Sequence, residues 1–253
     1  MNKNIAPARR HLLAAAAALA LAAPAFAWNF GGENIQGSGK VRTEARKADH
    51  FSGVDLSVPG EVELRLGSGE GVSIESDDNV LPLIETRVEN GTLQIRPVRD
   101  NLNLHPRTLR ITVNAREIDH LNLAGSGSIS ADTLRAHSFK ASLAGSGSIK
   151  ARAIEGDSLA IRLAGSGDLA VNGGNVKDLK IAILGSGDVD VGKLKATDVR
   201  VKTSGSGNSK VWASGTLEVS VAGSGDVDYY GDPRVSRSVA GSGEVTRLGS
   251  APR

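Results

Sequence analysis

The chain has 253 residues, a formal net charge of +2, no Cys, 31 Gly and eight aromatic residues (4 Phe, 2 Tyr, 2 Trp). A hydrophobic fraction of 40% excludes global disorder, and with so few rings the core must be aliphatic and layered. The absence of Cys excludes disulfide staples, thiolate zinc sites, Cys nucleophiles and lipid-modified N-terminal cysteines.

Residues 1–27 read as a secretory signal peptide. Lys3, Arg9 and Arg10 form a basic start, Leu12 to Ala23 an apolar run, and Ala25-Phe26-Ala27 an A-x-A cleavage site. The apolar run is too short for a comfortable bilayer span, and no second stretch of spanning length follows. Cleavage after Ala27 leaves 27 Lys and Arg against 28 Asp and Glu, so the basic balance belongs to the leader. A near-neutral chain gives no footprint for nucleic acid. The expectation is a soluble exported protein, periplasmic or secreted, without a transmembrane anchor.

Residues 28–47 contain Gly37-Ser38-Gly39 and read as a linker or a first, separated coil; residues 48–253 read as one domain. Val54 to Val58 and Val62 to Leu66 alternate as half-buried strands, and Val72-Ser73-Ile74 is a third. Asn79 to Ile84 suggests a short helical turn. Asn90-Gly91 between Val88 and Leu93 signals a hairpin. Arg99 to Pro106 reads as a polar loop, and Leu109 to Val113 and Ile118 to Leu123 lead into the repeats.

Across 121–247 the dominant signal is a repeat. Gly-Ser-Gly begins at Gly125, Gly145, Gly165, Gly185, Gly205, Gly223 and Gly241, in four steps of 20 and two of 18. Such self-similarity indicates a solenoid. Leu123, Leu143, Leu163, Ile183, Thr203, Val221 and Val239 stand two residues before the motif. Ile129, Ile149, Leu169, Val189, Ser209, Val227 and Val245 stand two after it. Spacing of two within each repeat means strands with alternate side chains inward. A crossover helix does not fit in 20 residues, so equivalent strands must stack in parallel as a β-helix with coils of about 18–20 residues. Both glycines of each motif take the inward parity at a narrow corner, and the Ser points out. Arg237 and Arg247 occupy otherwise apolar ladder positions and mark a cap. Edge cover at the other end is expected from Phe51 to Leu66, or from a dimer.

Phe51-Ser52-Gly53-Val54, Glu61-Val62-Glu63-Leu64, Asn79-Val80-Leu81, Val88-Glu89-Asn90-Gly91-Thr92-Leu93 and the serial Ala-Gly-Ser-Gly together resemble the DUF2807 family, the "putative auto-transporter adhesin, head GIN domain", over about residues 45–250. The resemblance implies an all-β, right-handed parallel β-helix and an adhesin-like role. It brings no catalytic residues. The chain lacks the amphipathic barrel strands of an autotransporter.

Two groups of residues are candidates for ligand contact. Asp168, Asp188, Asn208, Asp226 and Glu244 follow successive Gly-Ser-Gly motifs, with Asp190 and Asp228 two residues beyond Asp188 and Asp226. Oxygen-rich ladders can bind Ca²⁺, but the nine-residue calcium-roll pattern is missing and Lys150 and Lys210 interrupt the row, so a solvated face is expected. Trp212 and Tyr230, with Tyr229 between them in the next coil, could stack on sugars or pack at the end of the core. Trp212, Tyr230 and Leu248 fall at equivalent repeat positions. The His residues are scattered, and no metal, cofactor or catalytic set emerges. The expected function is a non-enzymatic adhesin or envelope-binding module whose partner is a surface polysaccharide or a protein. A polysaccharide-active enzyme using Asp188 and Asp190, or a purely structural envelope protein, is the alternative. The sequence does not set the oligomeric state.

Overall fold

The computed structural model of the protein describes residues 32–252. The expected signal peptide lies outside the described residues. Apart from the 3-10 turn Leu81–Leu83, the regular structure is all β. The N-terminal strands are β1 (Glu33–Gln36), β2 (Val41–Arg46), β3 (Gly53–Leu56), β4 (Glu61–Leu66), β5 (Gly71–Asp77), β6 (Ile84–Glu89), β7 (Thr92–Pro97), β8 (Leu102–His105) and β9 (Leu109–Ala115). The coil strands begin with β10 (His120–Gly125), β11 (Ser128–Arg135), β12 (Ser138–Gly145), β13 (Ser148–Glu155), β14 (Ser158–Gly165) and β15 (Asp168–Val171). They continue with β16 (Gly174–Gly185), β17 (Asp188–Gly205), β18 (Ser209–Gly223), β19 (Val227–Tyr230), β20 (Arg234–Gly241) and β21 (Val245–Gly249).

The repeat closes as a parallel solenoid. Wall 1 stacks β3, β10, β12, β14, β16, β17, β18 and β20, each in parallel with the next. Wall 2 stacks β4, β11, β13, β15, β17, β18, β19 and β21 in the same way. A narrow third side is made by short pairings such as Ile154 with Gly174 and Val176 with Ala196. The offset between partners is the sequence period: Leu143 lies over Leu123 and Leu163 over Leu143. The aligned aliphatics are the core. Leu159, Ile161, Leu163, Leu169, Val171 and Val176 of one turn are all buried. Thr203 and Ser209 are buried ladder positions whose hydroxyls have no protein partner.

The two glycines of a corner are required for different reasons. Gly165 has φ +119°, and a Cβ there would strike the carbonyl of Gly145 in the turn below. Gly167 needs no positive φ, but its Cβ would collide with Gly147 O and come within 2.5 Å of Leu143 Cδ2. The corner backbone is itself laddered: the N–H of Ser166 donates to Gly145 O at 2.9 Å, and that of Asp168 to Gly147 O at 3.1 Å. The period shortens where the second wall turns into the third. Lys210 pairs with Asp190 but Trp212 pairs with Lys195, and one residue is regained before Thr216.

The N-terminal end departs from the sequence reading. β3 and β4, around Phe51 to Leu66, are the first turn and are themselves covered. β7 pairs with β3 and β9 with β4 in parallel; antiparallel β6 then closes β7, and antiparallel β5 and β2 close β9. The Asn90-Gly91 hairpin is present, with φ of 50° and 75°. The described part of residues 28–47 is neither linker nor coil, because β2 completes this cap. The segment expected as a polar loop, Arg99 to Pro106, contains β8, which pairs with β1 and buries Leu102 and Leu104. Gly37-Ser38-Gly39 is held by a clasp instead of forming a corner. The buried Asp77 carboxylate accepts the N–H of Gly39 at 2.6 Å, Arg107 at 2.8 Å and Thr108 at 3.3 Å. Asn79 Oδ1 accepts the Ser38 N–H at 2.9 Å. Burial works to raise the Asp77 carboxyl, but these backbone donors together hold it below the usual carboxylate range.

The C-terminal end is open among the described residues. β20 is exposed throughout, and Val235 and Val239, in ladder positions, are 41% and 38% exposed. Arg237 stands between them at the ladder position of Val219.

Gly167→Ala is expected to cost about 2 kcal/mol or more, because the clash is with backbone, whereas Ser166→Ala stays within about 0.5 kcal/mol. Urea midpoints of the two variants check this. The Asp77 clasp gives an acid limb: its contribution is complete above the unfolded-state pKa, roughly 3.9, and is lost as pH falls through the lower folded value. Hydrogen exchange should show β2 amides losing protection on acidification before the coil strands do, and Asp77→Ala should release them at neutral pH.

Candidate functional site

The sequence-predicted acidic residues all lie on wall 2. Asp168 lies between Ser148 and Asp188, and Asp190 lies beside Lys210 in the next column. A groove of about 510 Å³ runs here, lined by Asp188, Asp190, Lys210, Asp226, Asp228 and Glu244. The column beside the corner is engaged in holding the stack. Asp188 Oδ1 accepts the Asn208 N–H at 2.9 Å, Asn208 Oδ1 accepts the Asp226 N–H at 3.0 Å, and Asp226 Oδ1 accepts the Glu244 N–H at 2.8 Å. Each side chain satisfies a corner amide of the next turn. Asp190 accepts the Gly192 N–H at 3.0 Å, and Lys210 Nζ lies 3.7 Å away. The carboxylates therefore form columns on an open wall; they do not face each other across a cleft. Among the described residues no group of three His, Cys, Asp or Glu has the arrangement of a metal site.

Trp212 and Tyr230 are adjacent partners at the trailing edge of wall 2, both half-buried. Lys195 Nζ lies 5.7 Å from the centre of the Trp212 ring. Tyr229 packs against the core. Leu248 does not continue this column: a register shift pairs Tyr230 with Gly249, and Leu248 is exposed. Arg247 is tied down by Gly231 O at 2.8 Å and Asp232 at 2.6 Å.

Wall 1 has a different character. Its outward positions next to the corner are Ala124, Ala144, Ala164, Leu184, Ser204 and Ala222. These residues, with Asn122, Ser142, Arg162, Ala182, Lys202 and Ser220, line a trough of about 710 Å³. Leu184 is 63% exposed. Arg162 and Lys202 flank Ala182 from the turns on either side, and Lys140 and Lys180 lie in the neighbouring outward column. Among the described residues none of these four cations has a carboxylate within ion-pair distance, whereas Arg200 binds Glu218 at 2.7 Å. Asp55 closes the N-terminal end of the trough; burial pushes its carboxyl up, against the pull of His120 and Arg96. Aligning the outward positions of the repeat, and not only the inward ladders, would have revealed this wall.

The model of a family described as "Putative auto-transporter adhesin, head GIN domain", DUF2807, matches residues 50–233. No curated protein matches the sequence. Among solved structures, a "putative adhesin" from Bacteroides fragilis NCTC 9343 aligns with a TM-score of 0.79 at 21% identity, covering 85% of this chain and 100% of the other. A "putative lipid binding protein" from Parabacteroides distasonis ATCC 8503 aligns at 0.73 and 23% identity with the same coverage. A "putative adhesin" from Parabacteroides merdae ATCC 43184 aligns at 0.64 and 17%, covering 85% and 99%. At these identities the shared property is the fold.

If the acidic column holds the stack, Asp226→Ala should cost about 1 kcal/mol through the lost Glu244 N–H bond, while Asp228→Ala stays within about 0.5 kcal/mol. Denaturant midpoints of the pair test this.

Proposed function

Because the chain belongs to the DUF2807 family, we propose that it is an exported, non-enzymatic adhesin-type module that holds an envelope or surface molecule, polysaccharide or protein, on wall 1. Residues 1–27 serve as the cleaved signal peptide, and the mature chain carries one domain. The observation that carries the reading is the row of exposed cations on wall 1 that the fold leaves without carboxylate partners among the described residues. Wall 2 presents Asp168, Asp188, Asp190, Asp226 and Asp228, of which Asp188 and Asp226 bond corner amides of the next turn and Asp190 a local amide. Wall 1 presents four exposed cations that, among the described residues, have no carboxylate within ion-pair distance, beside an apolar trough. Exposed cations beside apolar surface suit a ligand with negative charge and apolar faces. No described helix is long and apolar enough to cross a membrane. The exposed Leu184 favours a second reading, an acyl chain in the trough, and the Parabacteroides neighbour described as lipid-binding shares this fold.

Retention of the mature chain on envelope fractions should fall at least tenfold in Arg162→Glu/Lys202→Glu and stay within twofold in Asp190→Lys/Asp228→Lys. Loss in the wall 2 variant alone would move the site to the acidic groove. Turnover of a polysaccharide that disappears in Asp188→Ala/Asp190→Ala would replace the binding role by catalysis. Export of the full chain should yield a protein beginning at Trp28.

A further inference from the structure

The cations of wall 1 follow the rise of the coil. Four consecutive turns each contribute one: Lys140 on β12, Arg162 on β14, Lys180 on β16 and Lys202 on β17. They alternate between two outward columns. Lys140 is stacked on Ala160 and Lys180, and Arg162 is stacked on Ala182 and Lys202. The columns are two residues apart along the strand, about 6.6 Å, and each turn rises by about 4.8 Å. The result is a zigzag of positive charge parallel to the solenoid axis, with one charge per turn.

Its surroundings limit the zigzag. Glu218 neutralises Arg200, the next cation of the first column. Asp55 stands at the N-terminal end of the trough. Asp178 and Asp198, at the outer margin of the wall, confine an anion to the side nearer the corner. On that side run Ala124, Ala144, Ala164 and Leu184, an apolar strip suited to the C–H faces of sugar rings.

From this placement we propose that wall 1 binds a linear acidic polysaccharide, a polyuronate-type chain lying along the solenoid axis with one carboxylate per turn. The inference rests on wall 1 being the binding surface and adds the class of ligand. An extended chain of acidic sugars with a two-fold screw presents successive carboxylates on alternate sides, as the cations alternate. A single lipid head group has charge for one or two of the four cations and leaves their even rise unused. Single-stranded nucleic acid is held by stacking on aromatic side chains as well as by charge, and none of the residues lining the trough is aromatic.

The test is calorimetric titration of the mature chain with oligogalacturonates of one to eight residues. Affinity should climb with length to about four or five residues, then flatten, and should weaken steeply with added salt. Fully methyl-esterified oligomers should not bind. Lys140→Gln/Lys180→Gln and Arg162→Gln/Lys202→Gln should each weaken binding at least tenfold, with thermal unfolding unchanged, and Arg200→Gln less than twofold. Equal binding of the methyl esters, no dependence on length, or equal affinity for a single-stranded DNA octamer would overturn the proposal, as would preference for lysophosphatidylglycerol. If no oligogalacturonate binds but Arg162→Glu/Lys202→Glu still abolishes envelope retention, the ligand class falls and wall 1 stands. If retention is also unaffected, both fall.

Discussion

Each turn of this protein is held on the one below by main-chain bonds that pass through the Gly-Ser-Gly corner without interruption. The Ser N–H reaches the first Gly carbonyl of the previous turn, from Ser146 on Gly125 to Ser242 on Gly223, at 2.9–3.0 Å throughout. Backbones that approach this closely at a bend leave no volume for a Cβ. That single constraint accounts for the corner glycines and for the register of the two walls that meet there, while the period changes only away from the corner. It accounts for the interior too: turns with the same cross-section stack like on like, so ladders of Leu, Ile and Val fill a narrow channel. Two rings enter the repeat ladders, the buried Phe139 in the first turns and the partly buried Tyr229 in the last.

The ends of the stack meet a different requirement. A parallel solenoid exposes unpaired strand edges at both ends. At the N-terminus the edges are closed by reversing direction: β6, β5 and β2 run antiparallel to the strands they cover. Reversal needs loops that the repeat does not supply, and the buried Asp77 ties them together by accepting three backbone N–H groups from two segments. At the C-terminus nothing among the described residues covers β20 and β21, and Arg237 places a charge in the ladder itself. A charge at an inward position of a terminal strand opposes edge-to-edge growth, because pairing would bury it.

These two regimes explain what was legible in the sequence. Coil strands announce themselves because inward residues recur at a fixed offset, so Leu143 can be placed over Leu123 without coordinates. The Asn90-Gly91 hairpin is legible for the same local reason. The cap is not local. Glu33 pairs with Leu102 and Val41 with Asp77, across separations that no period marks. β8 is four residues long, too short for its Leu102/Leu104 alternation to stand out from the polar residues around it. The Asp column was visible as a pattern, but not its purpose. Whether an outward Asp awaits a ligand or bonds the next corner's N–H depends on backbone that only stacking brings within reach. Leu248 was misplaced by a one-residue bulge between Tyr229 and Tyr230.

Stacking also turns sequence period into surface chemistry. Because each turn rises by one strand spacing, a residue type repeated every 20 positions becomes a column, and one repeated every 40 becomes a column of half the density. Wall 1 uses the second kind twice, half a step out of phase: Lys140 and Lys180, then Arg162 and Lys202. The intervening positions are Ala160 and Ala182, which keep Lys140 from Lys180 and Arg162 from Lys202 by two turns; where Arg200 does follow Lys180 directly, Glu218 neutralises it. The same wall places alanines and Leu184 beside the corner, where small side chains leave the trough open. A net charge close to zero therefore conceals local rows of one sign, cations on wall 1 and carboxylates on wall 2. On wall 2, Asp188 and Asp226 are held by corner amides of the next turn, while Lys140, Arg162, Lys180 and Lys202 of wall 1 have no carboxylate within ion-pair distance among the described residues.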